Sequence, residues 1–196
     1  MKLLLISDEE DRSLWDYYTP GKLNGVDLIL SAGDLKAEYL SFLVTMANRP
    51  LLYVHGNHDG SYDRNPPEGC DCVDDRLMVV NGLRILGLGG CRQYNKGPYQ
   101  YSEQQMRRRI LRLQLKIMKA GGVDIVLTHA PVAGYGDEDN VTHRGFDAFL
   151  PLLDRWQPPY LIHGHVHQRY NLKKPRVLQY KNTTLINCNG KYWLEI

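Results

Sequence analysis

The chain has 196 residues, 43% hydrophobic and 23% charged, and 24 Lys and Arg against 22 Asp and Glu give a formal net charge of +2. That length fits one domain over residues 1–196 with a sizeable core, and so mild a charge, with a pI near 8.3, leaves nucleic acid a possible but not a favoured partner. Only the apolar run Leu3–Ile6 precedes Ser7-Asp8, too short for a signal peptide or a membrane span, so a soluble, cytoplasmic protein is expected, with no membrane partner and with Cys70, Cys72, Cys91 and Cys188 as reduced thiols.

Leu3–Ile6 is a continuous apolar run of the kind found in a strand buried on both faces. If the strand continues, Asp8 and Glu10 project to one side and Glu9 to the other, which brings both carboxylates to one cation. Residues 11–25 read as a loop rich in Trp15, Tyr17 and Tyr18, either stacking on a substrate ring or packing on the domain. Val26–Leu30 is the second strand and ends in Gly33-Asp34; residues 35–48 carry apolar side chains at helical spacing. Leu51–Val54 is a third strand, running into Gly56-Asn57-His58-Asp59. A Pro/Gly/Asp-rich loop follows from Ser61 to Cys72, then a hairpin, Leu77–Val80 and Leu83–Leu88 about Asn81-Gly82.

Gly87–Tyr101 is a glycine- and tyrosine-rich loop in which Arg92 and Tyr94 are candidate substrate contacts. Ser102 and Gln105 make a capping box for a helix whose buried face is Met106, Ile110, Leu113 and Ile117, closed by Gly121-Gly122. The rest of that helix is basic and reads as a solvated face, with nucleic-acid contact as the other option. Val123–Leu127 leads into Thr128-His129, and a glycine-acid loop then carries His143 and Arg144, further candidate substrate contacts. Phe146, Phe149, Leu150 and Leu153 mark a last helix, and Tyr160–Ile162 runs into His163-Gly164-His165-Val166-His167. Residues 177–196 alternate as closing strands.

Five apolar runs thus end in Asp, Asn or His. In α/β sheets ligands gather outside the carboxyl ends of the strands, and a set of Asp, Asn and His without Cys suits a hard-to-intermediate metal such as Mn, Fe or Zn. The series Asp8, Gly33-Asp34, Gly56-Asn57-His58-Asp59, His129 and Gly164-His165-Val166-His167 resembles the calcineurin-like metallophosphoesterases from residue 3 to about 170. Glu10 departs from the pattern, standing where that family usually has His.

The resemblance implies an α/β fold of four layers, αββα, with two mixed β-sheets between helices. It implies two divalent ions, one held by Asp8, Glu10, Asp34 and His167, the other by Asp34, Asn57, His129 and His165. Mn is favoured, with Fe, Zn or Mg as options. Such a pair supplies hydroxide for in-line attack on a phosphate ester. His58 would be the general acid, oriented by Asp59, while His55 and His163 stay outside the metal shell. The expected activity is that of a phosphodiesterase on a nucleotide-like or other small phosphate ester. A catalytically weakened metal-binding interaction module and a nuclease are the alternatives.

Overall fold

The computed structural model describes residues 1–167 and 175–196. Its elements in chain order are β1 (Lys2–Ser7), β2 (Leu28–Ser31), α1 (Ala37–Ala47), β3 (Leu51–Tyr53), a 3-10 turn (Asp59–Asp63), β4 (Asp71–Cys72), β5 (Leu77–Val80), β6 (Leu83–Leu88), β7 (Cys91–Arg92), β8 (Gln100–Tyr101), α2 (Glu103–Lys119), β9 (Ile125–Thr128), α3 (Phe149–Trp156), β10 (Tyr160–His163), β11 (Val177–Tyr180), β12 (Thr183–Asn187) and β13 (Gly190–Glu195). One sheet runs β13-β1-β2-β3-β4 and a second β11-β12-β10-β9-β6-β5. Both are mixed: β1, β2 and β3 are parallel with β13 antiparallel at the edge, while β6, β9, β10 and β12 are parallel with antiparallel β5 and β11 outside them.

Strand alternation builds the layers. On β1, Leu3 and Leu5 face the second sheet, packing with Ile125, Leu127, Ile162 and Ile186. Leu4 and Ile6 face the other way, onto Tyr39, Leu40 and Leu43 of α1. The outer face of the second sheet, including Val126 and Leu161, receives Met106, Ile110, Leu113 and Ile117 of α2 and Phe149, Leu152 and Leu153 of α3. The result is the four-layer αββα sandwich. A central strand in such a stack has no solvent face, which is why β1 reads as unbroken Leu and Ile rather than as an alternation.

Local chemistry sets the element ends. Asn81 and Gly82, at φ 51° and 83°, form the two-residue turn joining β5 to β6. Ser102 and Gln105 close a reciprocal capping box on α2. The segment between residues 61 and 72 is less irregular than its prolines suggest, because it contains the end of the 3-10 turn and the edge strand β4. Within 87–101, β7 and β8 pair parallel. The aromatic loop packs on the domain: Trp15 sets its edge against Tyr39 and Phe42, and Tyr18 against Phe42. Phe146 lies before α3 rather than on it, though buried in the same core, and Leu152 joins Phe149 and Leu153 on the buried face of the helix.

On α2 the basic set also divides. Arg109 is buried, pairing with Asp75 at 2.8 Å and lying 4.1 Å over the Tyr101 ring, so it belongs to the scaffold rather than to a solvated face. All four cysteines are free thiols, and no helix among the described residues is long and apolar enough to cross a membrane.

Leu5 sits wholly buried between the sheets, where neither layer can collapse onto a gap without moving the other. Leu5→Ala is expected to lower stability by about 2–5 kcal/mol, read as a shifted urea midpoint with an unchanged slope.

Candidate metal centre

Five strand ends open on one side of the molecule. Ile6 lies beside Ser31 and Ser31 beside Tyr53 in the first sheet, and Ile162 beside Leu127 in the second. The loops carrying Asp8, Asp34, Asn57, His129 and His165 therefore leave their strands at the same level. Three of these residues take left-handed backbone, Asp8 at φ 61°, Asp34 at 58° and His165 at 68°. Such a conformation costs roughly 1–3 kcal/mol for a residue with a side chain, the least for Asp, whose short polar side chain can bond locally. The His165 amide repays part of this by donating to both Asp8 carboxylate oxygens at 3.0 Å. Glycine is needed where the loops touch: a Cβ on Gly164 would lie 2.6 Å from Asp8 Oδ2, and one on Gly56 would overlap the Asp34 carboxylate.

The donor atoms are turned toward one point. His129 Nδ1 lies 2.7 Å from the Ala32 carbonyl and His165 Nε2 2.7 Å from the Thr142 carbonyl. Since a carbonyl only accepts, each neutral ring carries its proton there and leaves the other nitrogen as a lone pair. Those two nitrogens, His129 Nε2 and His165 Nδ1, face each other at 3.0 Å. Asn57 Oδ1 and Asp34 Oδ2 approach the same His129 Nε2 at 3.1 and 3.3 Å. The Tyr94 hydroxyl accepts from Asn57 Nδ2 at 3.1 Å, which turns the amide oxygen inward.

Four electron-rich atoms so placed repel unless positive charge sits among them. Burial lowers His129, yet the Asp34 and Asp8 carboxylates outweigh it and lift the ring to about 9. Burial and then the charge on His129 push His165 down to about 3. Burial opposes the ionised form of Asp34, but His129 and the His58 amide hold that carboxyl at about 2. The cluster accepts one positive charge and refuses a second on its rings. A divalent cation satisfies the same requirement, and the potential ligand atoms of Asp34, His129 and His165 all lie within 4.8 Å of one another. Nitrogen and oxygen donors without sulfur fit Mn, Fe or Zn.

The loops also clasp each other. Asp59 Oδ2 accepts from the amides of Gly56 at 2.7 Å and Asp34 at 2.9 Å, while Asp34 Oδ1 accepts from the His58 amide at 2.8 Å. Burial, then the neighbouring Asp34 charge, raises Asp59 to about 6 against the pull of the two amides. Asp59 thus acts on backbone, not on the His58 ring as the sequence suggested. His58 itself is exposed at the mouth of the cluster.

A family model described as calcineurin-like phosphoesterase matches residues 4–169, most of the chain and every strand end in the cluster. The chain belongs to the calcineurin-like phosphoesterases. It is 26% identical over 214 residues to a UPF0046 protein of Caenorhabditis elegans, covering 96% of this chain and 70% of that one. A second UPF0046 protein of C. elegans is 26% identical over 119 residues, which span 60% of this chain and only 29% of the relative. Among solved structures, TT1561 of Thermus thermophilus superposes with a TM-score of 0.65 at 15% identity, covering 96% of this chain and 89% of that one, a likeness of fold.

In the first acidic loop, where Glu10 stands in place of the family's usual His, the two glutamates take different partners. The left-handed turn at Asp8 breaks the strand alternation, so Glu10 does not share a side with Asp8. Its Oε1 instead accepts from the Lys36 amide at 3.3 Å and lies 3.7 Å from Lys36 Nζ, at the amino end of α1. Glu9, which alternation directs away, lies 3.4 Å from His167 Nδ1. Alternation rules fail here because they assume φ stays negative, and nothing in the sequence Ser-Asp-Glu-Glu announces the turn.

The candidate substrate contacts also separate. Arg92 is held by the Gly145 carbonyl at 3.3 Å, Asp147 at 3.5 Å and Glu103 at 3.9 Å, which makes it a brace between loops rather than a phosphate contact. Tyr94 touches Asn57. The His143 ring stands 5.2 Å from that of His165 and 6.4 Å from that of His167, at the rim of the cluster. Arg144 is exposed, lining a depression of about 390 Å³ with Asp137, Glu138, Asp139 and Asp147. His163 turns Nδ1 to the Gly164 carbonyl at 3.0 Å, and His55 is engaged by Asp74 at 2.6 Å.

These placements predict that Glu9→Ala lowers the divalent metal bound per chain, measured by elemental analysis after dialysis, and that Glu10→Ala does not. Glu10→Ala is expected instead to cost about 0.3–1 kcal/mol through the lost acidic group at the start of α1, seen in thermal unfolding.

Proposed function

We propose that the protein is a metal-dependent phosphoester hydrolase, acting as a phosphodiesterase on a nucleotide-like or other small phosphate ester. The observation that carries this reading is the convergence of Asp34, Asn57, His129 and His165 about one point, with His58 exposed beside them. Asp34, Asn57, His129 and His165 would hold one divalent ion, and Asp8, Asp34 and His167, with Glu9 in place of Glu10, a second. Bound there, such ions supply a nucleophile at neutral pH and neutralise phosphate charge; Mn is favoured by the oxygen-rich donors, with Fe, Zn or Mg as options.

The chain's own residues set the geometry. Asp34 turns Oδ2 to His129 and accepts from the His58 amide through Oδ1, and it would be the ligand common to the two ions. That hydrogen bond holds the His58 backbone beside Asp34, and the exposed ring would give a ring N–H proton to the departing ester oxygen. A His ring suits the task because its ordinary pKa lies near working pH. Tyr94 keeps the Asn57 oxygen inward, and His143, whose ring stands 5.2 Å from that of His165, would contact the ester at the rim.

A second reading has its own support. No histidine occupies the position of Glu10, and that side chain is turned to Lys36, which favours a metal-binding interaction module with weakened catalysis. Full metal loading without hydrolysis of an aryl phosphodiester would select it.

His58→Ala is expected to keep the metal content and to lower turnover by roughly 10² or more on esters with poor leaving groups, with a smaller loss on activated aryl esters. Equal loss on both classes would remove His58 from the acid role. Asp34→Asn should reduce the metal content itself, and retention of two ions in that variant would overturn the shared-ligand assignment.

A further inference from the structure

A second cluster forms just past the paired ends of β3 and β4, where Tyr53 lies beside Cys72. His55 Nδ1 is 2.6 Å from Asp74 Oδ2 and 3.8 Å from Cys72 Sγ, and one potential ligand atom from each of the three residues lies within 4.8 Å of the others. All three are partly exposed. Both neighbours sit on the same ring nitrogen, so the trio is not a relay in which a thiol and a carboxylate use opposite nitrogens. It is a set of three donors turned to one point.

We propose that His55, Cys72 and Asp74 form a separate site for a single zinc-class ion, bound through Nδ1, Sγ and a carboxylate oxygen with a water completing the fourth position. Metal bonds of about 2.0–2.3 Å in tetrahedral array separate N from S by about 3.6 Å and N from O by about 3.4 Å. The Cys72–His55 spacing already matches; the His55–Asp74 spacing opens by somewhat under ~1 Å as the shared proton is displaced. The thiolate selects an ion softer than the manganese favoured at the strand-end cluster, so the two sites sort metals by donor type.

The surroundings hold the donors as a metal's outer shell does. The Gly89 amide donates to Asp74 Oδ1 at 2.6 Å and the His55 amide to Asp74 Oδ2 at 3.2 Å. The Tyr99 ring stacks on the imidazole at 4.2 Å with planes 15° apart. At Gly89 a Cβ would overlap the Asp74 carboxylate, so glycine is what permits the approach. An ion here would tie β4 to the end of β3, two residues before Asn57.

The test is cobalt substitution of the full chain. A thiolate bonded to cobalt gives a near-ultraviolet charge-transfer band, and the strand-end cluster has no cysteine to produce one. The expected result is a saturable band that disappears, with one bound ion, in both Cys72→Ser and Cys72→Ala, and persists in Cys70→Ser and in Asp34→Asn. Cys72 lies on a two-residue edge strand, and far-ultraviolet circular dichroism checks that the variants fold. Absence of the band at saturating cobalt, its survival in Cys72→Ser, or its loss in Cys70→Ser alone would each overturn the proposal.

Discussion

The centre depends on one carboxylate that touches no ligand side chain. Asp59 Oδ2 gathers the amides of Gly56 and Asp34, and Asp34 answers by accepting from the His58 amide. Two loops from adjacent parallel strands are thereby locked in a single relative position. Parallel strands are joined by crossovers, so nothing in the connection itself fixes how their ends meet. Hydrogen bonds to an ionised acceptor are about twice as strong as neutral ones, and a buried pair of them is costly to leave half-made. The relative position of the two strand ends that carry Asp34, Asn57 and His58 follows from that lock.

Much of this was legible in the sequence because two separate patterns carried it. Unbroken apolar runs such as Leu3–Ile6 mark strands covered on both faces, and the polar residues that end them mark the functional edge. The capping box at Ser102 and the Asn81-Gly82 turn are local chemistry with little tertiary override. The four layers required more than periodicity, since an apolar strand looks the same whether a sheet or a helix covers it. That step came from the family resemblance.

What was not legible shares one physical origin. The swap of Glu9 for Glu10 beside His167 comes from a positive φ at Asp8, the burial of Arg109 from an acid thirty-four positions away at Asp75, and the engagement of Arg92 from Gly145 and Asp147. Each depends on a partner distant in the chain or on a backbone state that Asp only sometimes takes. Residue type says what a side chain can do, and long-range packing decides whether it is free to do it.

The left-handed backbone at Asp8, Asp34 and His165 has a consequence for how this family member can change. Each position holds a side chain where glycine would rest without strain, so replacing any of them with glycine removes a backbone penalty together with a donor. Selection for a more stable fold and selection for a working centre therefore pull these three sites in opposite directions. A lineage released from the need for chemistry should lose its donors first at the strained turns, while Asn57 and His129, which carry no such penalty, drift away more slowly.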